Sequence, residues 1–227
     1  MGGGSNLKPG EVTLAHKGVL FLDEFPEFDR KVLETLRQPL EDREVTISRA
    51  KGTVRYPAHF ILVATMNPCP CGNYGVKGKE CICNAQNIEK YKRKLSGPIV
   101  DRIDLWVEVS KIEHEKLTDK RELHEGTDKM KPRVEFARAI QEKRYEGLKI
   151  KTNAELTARD LVTKIILSEK VKEVLNKSAK QLDLSARSYH RIIKLARTIA
   201  DMEGVEDISE NHILEALQYR PKRYQAL

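Results

Sequence analysis

Apolar positions along the chain change their period at three places. Val19, Leu20, Phe21 and Leu22 form a continuous run that stops at Asp23 and Glu24, the pattern of a strand buried on both faces of a parallel sheet. Asp29 then offers a helix cap, and Val32, Leu33, Leu36 and Leu40 keep helical spacing. Residues 44–48 and 53–56 are β-prone runs joined through Arg49, Ala50, Lys51 and Gly52, which predicts a hairpin with a basic tip. A second buried-strand run covers residues 59–65 and ends at Met66 and Asn67, just before Pro68, and residues 105–109 read as a third. From Thr157 onward the period is helical. Val171, Val174, Leu175, Ala179 and Leu182 make one stripe, and Tyr189, Ile192, Ile193, Ala196, Ile199 and Ala200 another. Gly204 ends that helix and Ser209 caps a final one.

These elements predict an α/β layer followed by an all-helical unit, divided as residues 1–110, 111–151 and 152–227. The middle segment carries 12 basic and 9 acidic side chains and reads as a solvated connection with some helix after Pro132. The first dozen residues are Gly-rich and read as loop.

Composition narrows the function classes. With 40% hydrophobic and 33% charged residues in a chain of 227, a core can be buried. The formal charge of +7 suits an anionic partner such as nucleic acid or nucleotide. No run approaches the ~18 apolar residues of a membrane span, and no basic region followed by an apolar stretch opens the chain. The expectation is a cytoplasmic protein.

Two groups of residues carry chemistry. Asp23 and Glu24 end a buried strand, where open α/β sheets bind ligands. In a nucleoside triphosphatase the first would hold a hydrated Mg²⁺ and the second would polarise the attacking water; the plainer alternative is an acidic cap on the following helix. Asn67 ends the next strand, where an amide can orient water without adding charge; an Asn before Pro is otherwise a turn initiator. Cys69, Cys71, Cys81 and Cys83 are the only cysteines. Their confinement to fifteen residues suggests a tetrahedral zinc site of four thiolates rather than a disulfide scaffold, with free or oxidised thiols, and behind them an iron–sulfur cluster, as the alternatives. Residues 69–95 also hold Lys77, Lys79, Lys90, Lys92, Arg93 and Lys94 against Glu80 and Glu89, a basic loop able to meet phosphates or to serve only as a stabilised surface.

Four stretches together are more specific. Residues 9–25 (PGEVTLAHKGVLFLDEF), 65–72 (TMNPCPCG), 95–105 (LSGPIVDRIDL) and 184–191 (LSARSYHR) resemble the magnesium-chelatase-like branch of AAA+ ATPases, and within it the bacterial ComM group. The resemblance covers nearly all of the chain. It implies that Asp23 and Glu24 are the Walker B pair, Asn67 the sensor 1 residue, Arg102 an arginine finger reaching a neighbouring subunit's nucleotide, and Arg187 the sensor 2 arginine of a helical lid. It further implies a partial AAA+ core with a hairpin and a zinc-loop insertion, ATP and Mg²⁺ as ligands, a hexameric ring, and action on DNA in branch migration. The hairpin resembles the one that lines the pore of DNA-translocating rings, which would assign Arg49 and Lys51 to DNA phosphates; the plainer alternative is a solvated hairpin whose basic tip prevents edge aggregation.

One element of the family pattern is missing. No Gly-x-x-x-x-Gly-Lys-Ser/Thr occurs, and only 22 residues precede Asp23. The expectation is therefore a C-terminal portion of a longer ATPase, inactive alone because no P-loop holds the phosphates. Residues 2–5 are either native or an appended linker. Two other functions remain open at this point: a non-catalytic, zinc-stabilised nucleic-acid-binding module, and a magnesium-chelatase subunit for metal insertion into a tetrapyrrole.

Overall fold

A computed structural model of the chain describes residues 8–49, 52–76, 78–109 and 125–221. They form two compact units that divide between Ile103 and Asp104.

The first unit runs α1 (Glu11–Leu14), β1 (Val19–Leu22), a 3₁₀ turn (Phe25–Glu27), α2 (Arg30–Thr35), α3 (Arg37–Asp42), β2 (Glu44–Arg49), β3 (Gly52–Pro57), β4 (Ile61–Ala64), α4 (Ala85–Lys92) and α5 (Gly97–Val100). Strands β1 and β4 pair in parallel, with Val19 opposite Ile61 and Leu22 opposite Ala64. The two strands are not buried on both faces, contrary to the reading of their apolar runs. Leu20 is buried, but Val19 and Phe21 on β1 and Ile61 and Val63 on β4 are 57%, 57%, 59% and 42% exposed. In register these four line one face of the pair, and none of the described elements of this unit buries it. An unbroken apolar run reports what a strand can bury, whereas burial also needs a covering layer.

The helix expected after Asp29 is two short helices. The Asp29 carboxylate caps α2 by accepting the Lys31 N–H at 2.7 Å. The break falls at Leu36, because Pro39 has no N–H to return to the Thr35 carbonyl. Leu33 and Leu36 are buried, while Val32 is exposed. Strands β2 and β3 form the hairpin, with Arg49 opposite Gly52. Val45 and Ile47 bury its inner face. Gln38 of α3 brackets Thr46, donating to its hydroxyl at 3.2 Å and accepting its N–H at 3.4 Å.

Residues 105–109 do not form the third strand. Among the described residues this stretch has no strand partner; its one backbone bond runs from the Trp106 N–H to the Tyr219 carbonyl at 2.8 Å, within the second unit. Leu105, Val107 and Val109 are exposed. β-propensity needs a neighbouring ladder to become a strand.

The second unit comprises α6 (Thr127–Arg144), a 3₁₀ turn (Asn153–Glu155), α7 (Ala158–Lys164), α8 (Glu169–Gln181), α9 (Ala186–Glu203) and α10 (Glu210–Gln218). Helix α9 is the central element. Ile192, Ala196 and Ala200 on it pack in one buried cluster with Leu175 of α8 and with Ile213 and Ala216 of α10, each large apolar side chain contributing about 1.5–3 kcal/mol by leaving water. Four helix starts are capped by their own sequence: Thr157, Ser168, Ser185 and Ser209 each accept an N–H of the first turn. Gly204 ends α9 at φ 73°, and a Cβ there would lie 3.1 Å from the Phe136 ring.

Part of the charged middle segment belongs to this core. Helix α6 begins at Thr127, before Pro132, and buries Ala137 and Gln141. Arg144 at its end donates to both oxygens of the fully buried Asp201, at 2.9 and 2.5 Å. Arg197 adds a bond to Asp201 at 3.1 Å, and Asn153 donates to it at 2.8 Å while accepting the Tyr145 hydroxyl at 2.7 Å. Asp201 raises the pKa of Arg144. Burial pushes Arg197 down and Tyr145 up. Residues 111–124 of the segment lie outside the described residues.

Candidate functional site

The carboxyl ends of β1 and β4 meet at Asp23, Glu24 and Thr65. Parallel pairing continues one step past the strands, because the Thr65 N–H donates to the Leu22 carbonyl at 3.0 Å and the Thr65 carbonyl accepts the Phe25 N–H at 2.8 Å. The Thr65 hydroxyl donates to Asp23 Oδ1. It also accepts the Glu24 N–H at 3.1 Å, which Asp23 Oδ1 shares at 3.1 Å. Glu24 lies in the left-handed region at φ 49° and ψ 47°, a conformation that costs a non-glycine residue about 1–2 kcal/mol. Asp23 and Glu24 are both exposed.

This geometry suits a hydrated divalent cation. Oδ1 of Asp23 is held by two donors, whereas Oδ2 makes no hydrogen bond or ion pair among the described residues. The Glu24 carboxylate likewise has no partner among them, so it is available to a solvent nucleophile.

The remaining candidates are distributed differently. Asn67 is exposed two residues beyond Thr65, and its Oδ1 lies 3.9 Å from where a Cβ on Gly72 would stand, next to the cysteine loop. Arg102 follows α5 in the first unit, where its guanidinium pairs with Glu41 and donates to the Pro98 carbonyl at 2.7 Å. Arg187 is half-buried in the first turn of α9, in the second unit. Arg49 closes β2, and Lys51 lies outside the described residues, as does Lys77.

The cysteine loop gathers all four sulfurs within 4.8 Å of one another. Cys69 and Cys71 are 3.4 Å apart, Cys69 and Cys81 3.7 Å, and Cys71 and Cys81 3.6 Å. A tetrahedron with metal–sulfur bonds of about 2.3 Å has edges of about 3.8 Å, whereas a disulfide needs about 2.05 Å. The four thiols thus fit a single tetrahedral cation, with Cys69 buried and the other three half-buried. Their ionisation is unequal. The Asn73 backbone N–H brings Cys71 down to about 6. The Cys83 N–H acts in the same sense on Cys81, but burial and the adjacent sulfurs outweigh it and push Cys81 up to about 12. Burial also raises Cys83. Four adjacent sulfurs cannot all carry charge without a shared cation.

The basic character of this region is smaller than its composition suggests. Arg93 pairs with Glu89 at 2.6 Å, and Lys94 with Glu27 at 3.0 Å. The Lys92 ammonium sits 5.5 Å from the centre of the Tyr74 ring, and the Tyr74 N–H points at Cys69 Sγ at 3.3 Å, so this lysine braces the loop against α4.

Two participants escaped the sequence reading. Thr65 was legible in principle: in a parallel register that places Leu22 opposite Ala64, the next residues, Asp23 and Thr65, must be neighbours. Glu41 carried no signal, being one of two adjacent carboxylates on a short helix.

An α/β unit with an acidic strand end, followed by a helical unit, defines the general class. Residues 1–117 match the family described as magnesium chelatase, subunit ChlI, and residues 124–220 match the one described as magnesium chelatase, subunit ChlI C-terminal. The chain belongs to the magnesium-chelatase ChlI family. It is 44% identical over 220 residues to the protein named Competence protein ComM of Haemophilus influenzae, covering 97% of this chain and 42% of that one. It is 39% identical over 220 residues to Uncharacterized protein YifB of Escherichia coli, with the same coverage. It is 23% identical over 223 residues to the Magnesium-chelatase subunit ChlI homolog of Methanocaldococcus jannaschii, covering 93% of this chain and 51% of that protein. The chain therefore spans about half or less of these relatives. No described helix is long and apolar enough to cross a membrane.

Proposed function

We propose that this chain carries the hydrolytic part of an AAA+ ATPase that works on DNA, in the manner its likeness to a competence protein suggests, and that it acts in the cytoplasm. The observation that carries the reading is the Asp23–Thr65–Glu24 arrangement at the ends of two parallel strands. In this reading Asp23 Oδ2 would hold a water of ATP-bound Mg²⁺, which when bound would supply charge neutralisation to the transferring phosphoryl group. Glu24 draws a proton from the water that attacks the γ-phosphate, and Asn67 orients that water. Arg187 reaches the phosphates from the helical unit as a lid residue, and Arg102 acts on the nucleotide of a neighbouring subunit in a hexameric ring, a guanidinium being suited to phosphate oxygens in both places.

The P-loop that this chain does not contain would come from further sequence in the whole protein. The uncovered face formed by Val19, Phe21, Ile61 and Val63 supports that reading, since parallel strands are ordinarily covered on both sides. Cys69, Cys71, Cys81 and Cys83 hold a structural Zn²⁺ with no open position. Arg49 and Lys51 at the hairpin tip contact the DNA backbone without reading sequence.

The test is ATP hydrolysis by the full-length protein. Glu24→Gln should retain nucleotide and lose at least about 100-fold in kcat, on the scale of groups that act directly on the transferring phosphoryl. Wild-type turnover in the Gln variant would refute the assignment. DNA binding should weaken with salt at a log–log slope near −0.9 per duplex phosphate contacted, and Arg49→Ala with Lys51→Ala should flatten that slope.

A further inference from the structure

Thr65 makes four hydrogen bonds to four consecutive residues, Leu22, Asp23, Glu24 and Phe25. Two come from its backbone and would survive any substitution other than proline. The other two come from its hydroxyl, and these go to the acidic pair: a bond donated to the Asp23 carboxylate and one accepted from the Glu24 N–H. We infer that Thr65 is a positioning residue for hydrolysis, a role that rests on the ATPase reading of the same site.

The hydroxyl acts on each acid in a separate way. On Asp23 it fixes which oxygen is spent inside the protein. With Oδ1 taken by Thr65 and the Glu24 N–H, the carboxylate cannot rotate freely, and Oδ2 is the oxygen left for a metal-bound water. On Glu24 it acts through the backbone. A left-handed residue at the end of a strand turns the chain sharply, and this one is not a glycine; the bond from its N–H to Thr65 Oγ1 helps to hold it there. The hydroxyl thus sets the direction from which the Glu24 side chain leaves the backbone.

A threonine methyl could alternatively serve packing alone. Residue shape and hydrogen bonding are separable here, since Val keeps the shape and removes the hydroxyl, whereas Ser keeps the hydroxyl and removes the methyl. The experiment is steady-state ATP hydrolysis by the full-length protein as a function of Mg²⁺, for wild type, Thr65→Val, Thr65→Ala, Thr65→Ser and Glu24→Gln, with thermal midpoints measured on the same preparations. Groups that orient metal-binding side chains cost about 10- to 100-fold when removed. Thr65→Val should therefore lose about that much in kcat and need several-fold more Mg²⁺ for half-saturation, with Thr65→Ser restored to within about threefold of wild type. If the valine variant does not fold, Thr65→Ala carries the same expectation. Wild-type kcat and Mg²⁺ dependence in Val and Ala would overturn the proposal and leave the ATPase reading standing. So would a serine variant as impaired as valine with a matching loss of thermal midpoint, since that is the signature of packing. A wild type without ATP hydrolysis, or a Glu24→Gln variant with full activity, would remove the ATPase reading and this role with it.

Discussion

Arg102 and Glu41 form an ion pair of unequal partners: Nε lies 3.1 Å from Oε2, with the arginine side chain 9% exposed and the glutamate 42%. The carboxylate sits close to water, whereas the guanidinium is largely buried and loses a charged partner when Glu41 is neutralised. Glu41→Gln should therefore destabilise this chain by about 1–2 kcal/mol, less than the 3–5 kcal/mol of a fully buried pair because the glutamate is half solvated. Arg102→Met, which fills the same space without charge, should be nearly neutral. Urea denaturation of the two variants checks the order, and a larger loss for Arg102→Met would contradict it. In the full-length protein, Arg102→Met should nevertheless abolish ATP hydrolysis, separating its part in the fold from its proposed part in catalysis.

The cysteine loop should carry about one zinc per chain. Elemental analysis of reduced, chelator-free protein should find it, and substitution of Cys81 by serine should release it. Chelation should disorder residues 69–83 and leave the helical unit intact, because that unit's core draws on none of these residues; amide exchange with and without chelator would locate the change. A metal-free preparation with all four thiols reactive would count against the site.

Asp201 is a buried polar anchor of the helical unit. It is fully buried and accepts from Arg144, Arg197 and Asn153. Asp201→Ala leaves two guanidinium groups with no carboxylate between them, and should cost about 3–5 kcal/mol. Arg144→Met should cost less, since Arg197 and Asn153 still satisfy the carboxylate. Chemical denaturation followed by helical circular dichroism measures both.

The cap of α7 should make a small, pH-dependent contribution. The Thr157 hydroxyl and N–H donate to Asp160 Oδ2 at 2.6 and 3.0 Å, and they hold its carboxyl below the ordinary value of 3.8. A carboxyl depressed by folding stabilises the fold above its unfolded pKa and loses that contribution as pH falls through its folded pKa. Wild type should be more stable than Asp160→Asn near neutral pH, and the difference should shrink to nothing well below the ordinary carboxylate range. Thermal melts of the pair across that interval test the sign. A difference that grows in acid would reverse it.

The local signals in the chain determined much of this. Asp29, Thr157, Ser168, Ser185 and Ser209 stand at helix starts where a side-chain oxygen meets a free N–H. The hairpin follows from two β-prone runs around a short turn, and the stripes on α8 and α9 mark which faces meet. The cysteines announce a four-sulfur cluster by spacing alone. These features are decided within a few residues, so reading along the chain reaches them. Partners distant in sequence were decided only in three dimensions. Thr65 reaches Asp23 across 42 positions, Arg102 reaches Glu41 across 61, and Arg144 reaches Asp201 across 57. Nothing local distinguishes Arg144 from the many charges around it, and a charged segment reads as solvated until a buried carboxylate claims one of its residues. The same holds for residues 105–109, whose β-prone side chains form no strand, because a strand exists only where a second one offers its hydrogen bonds.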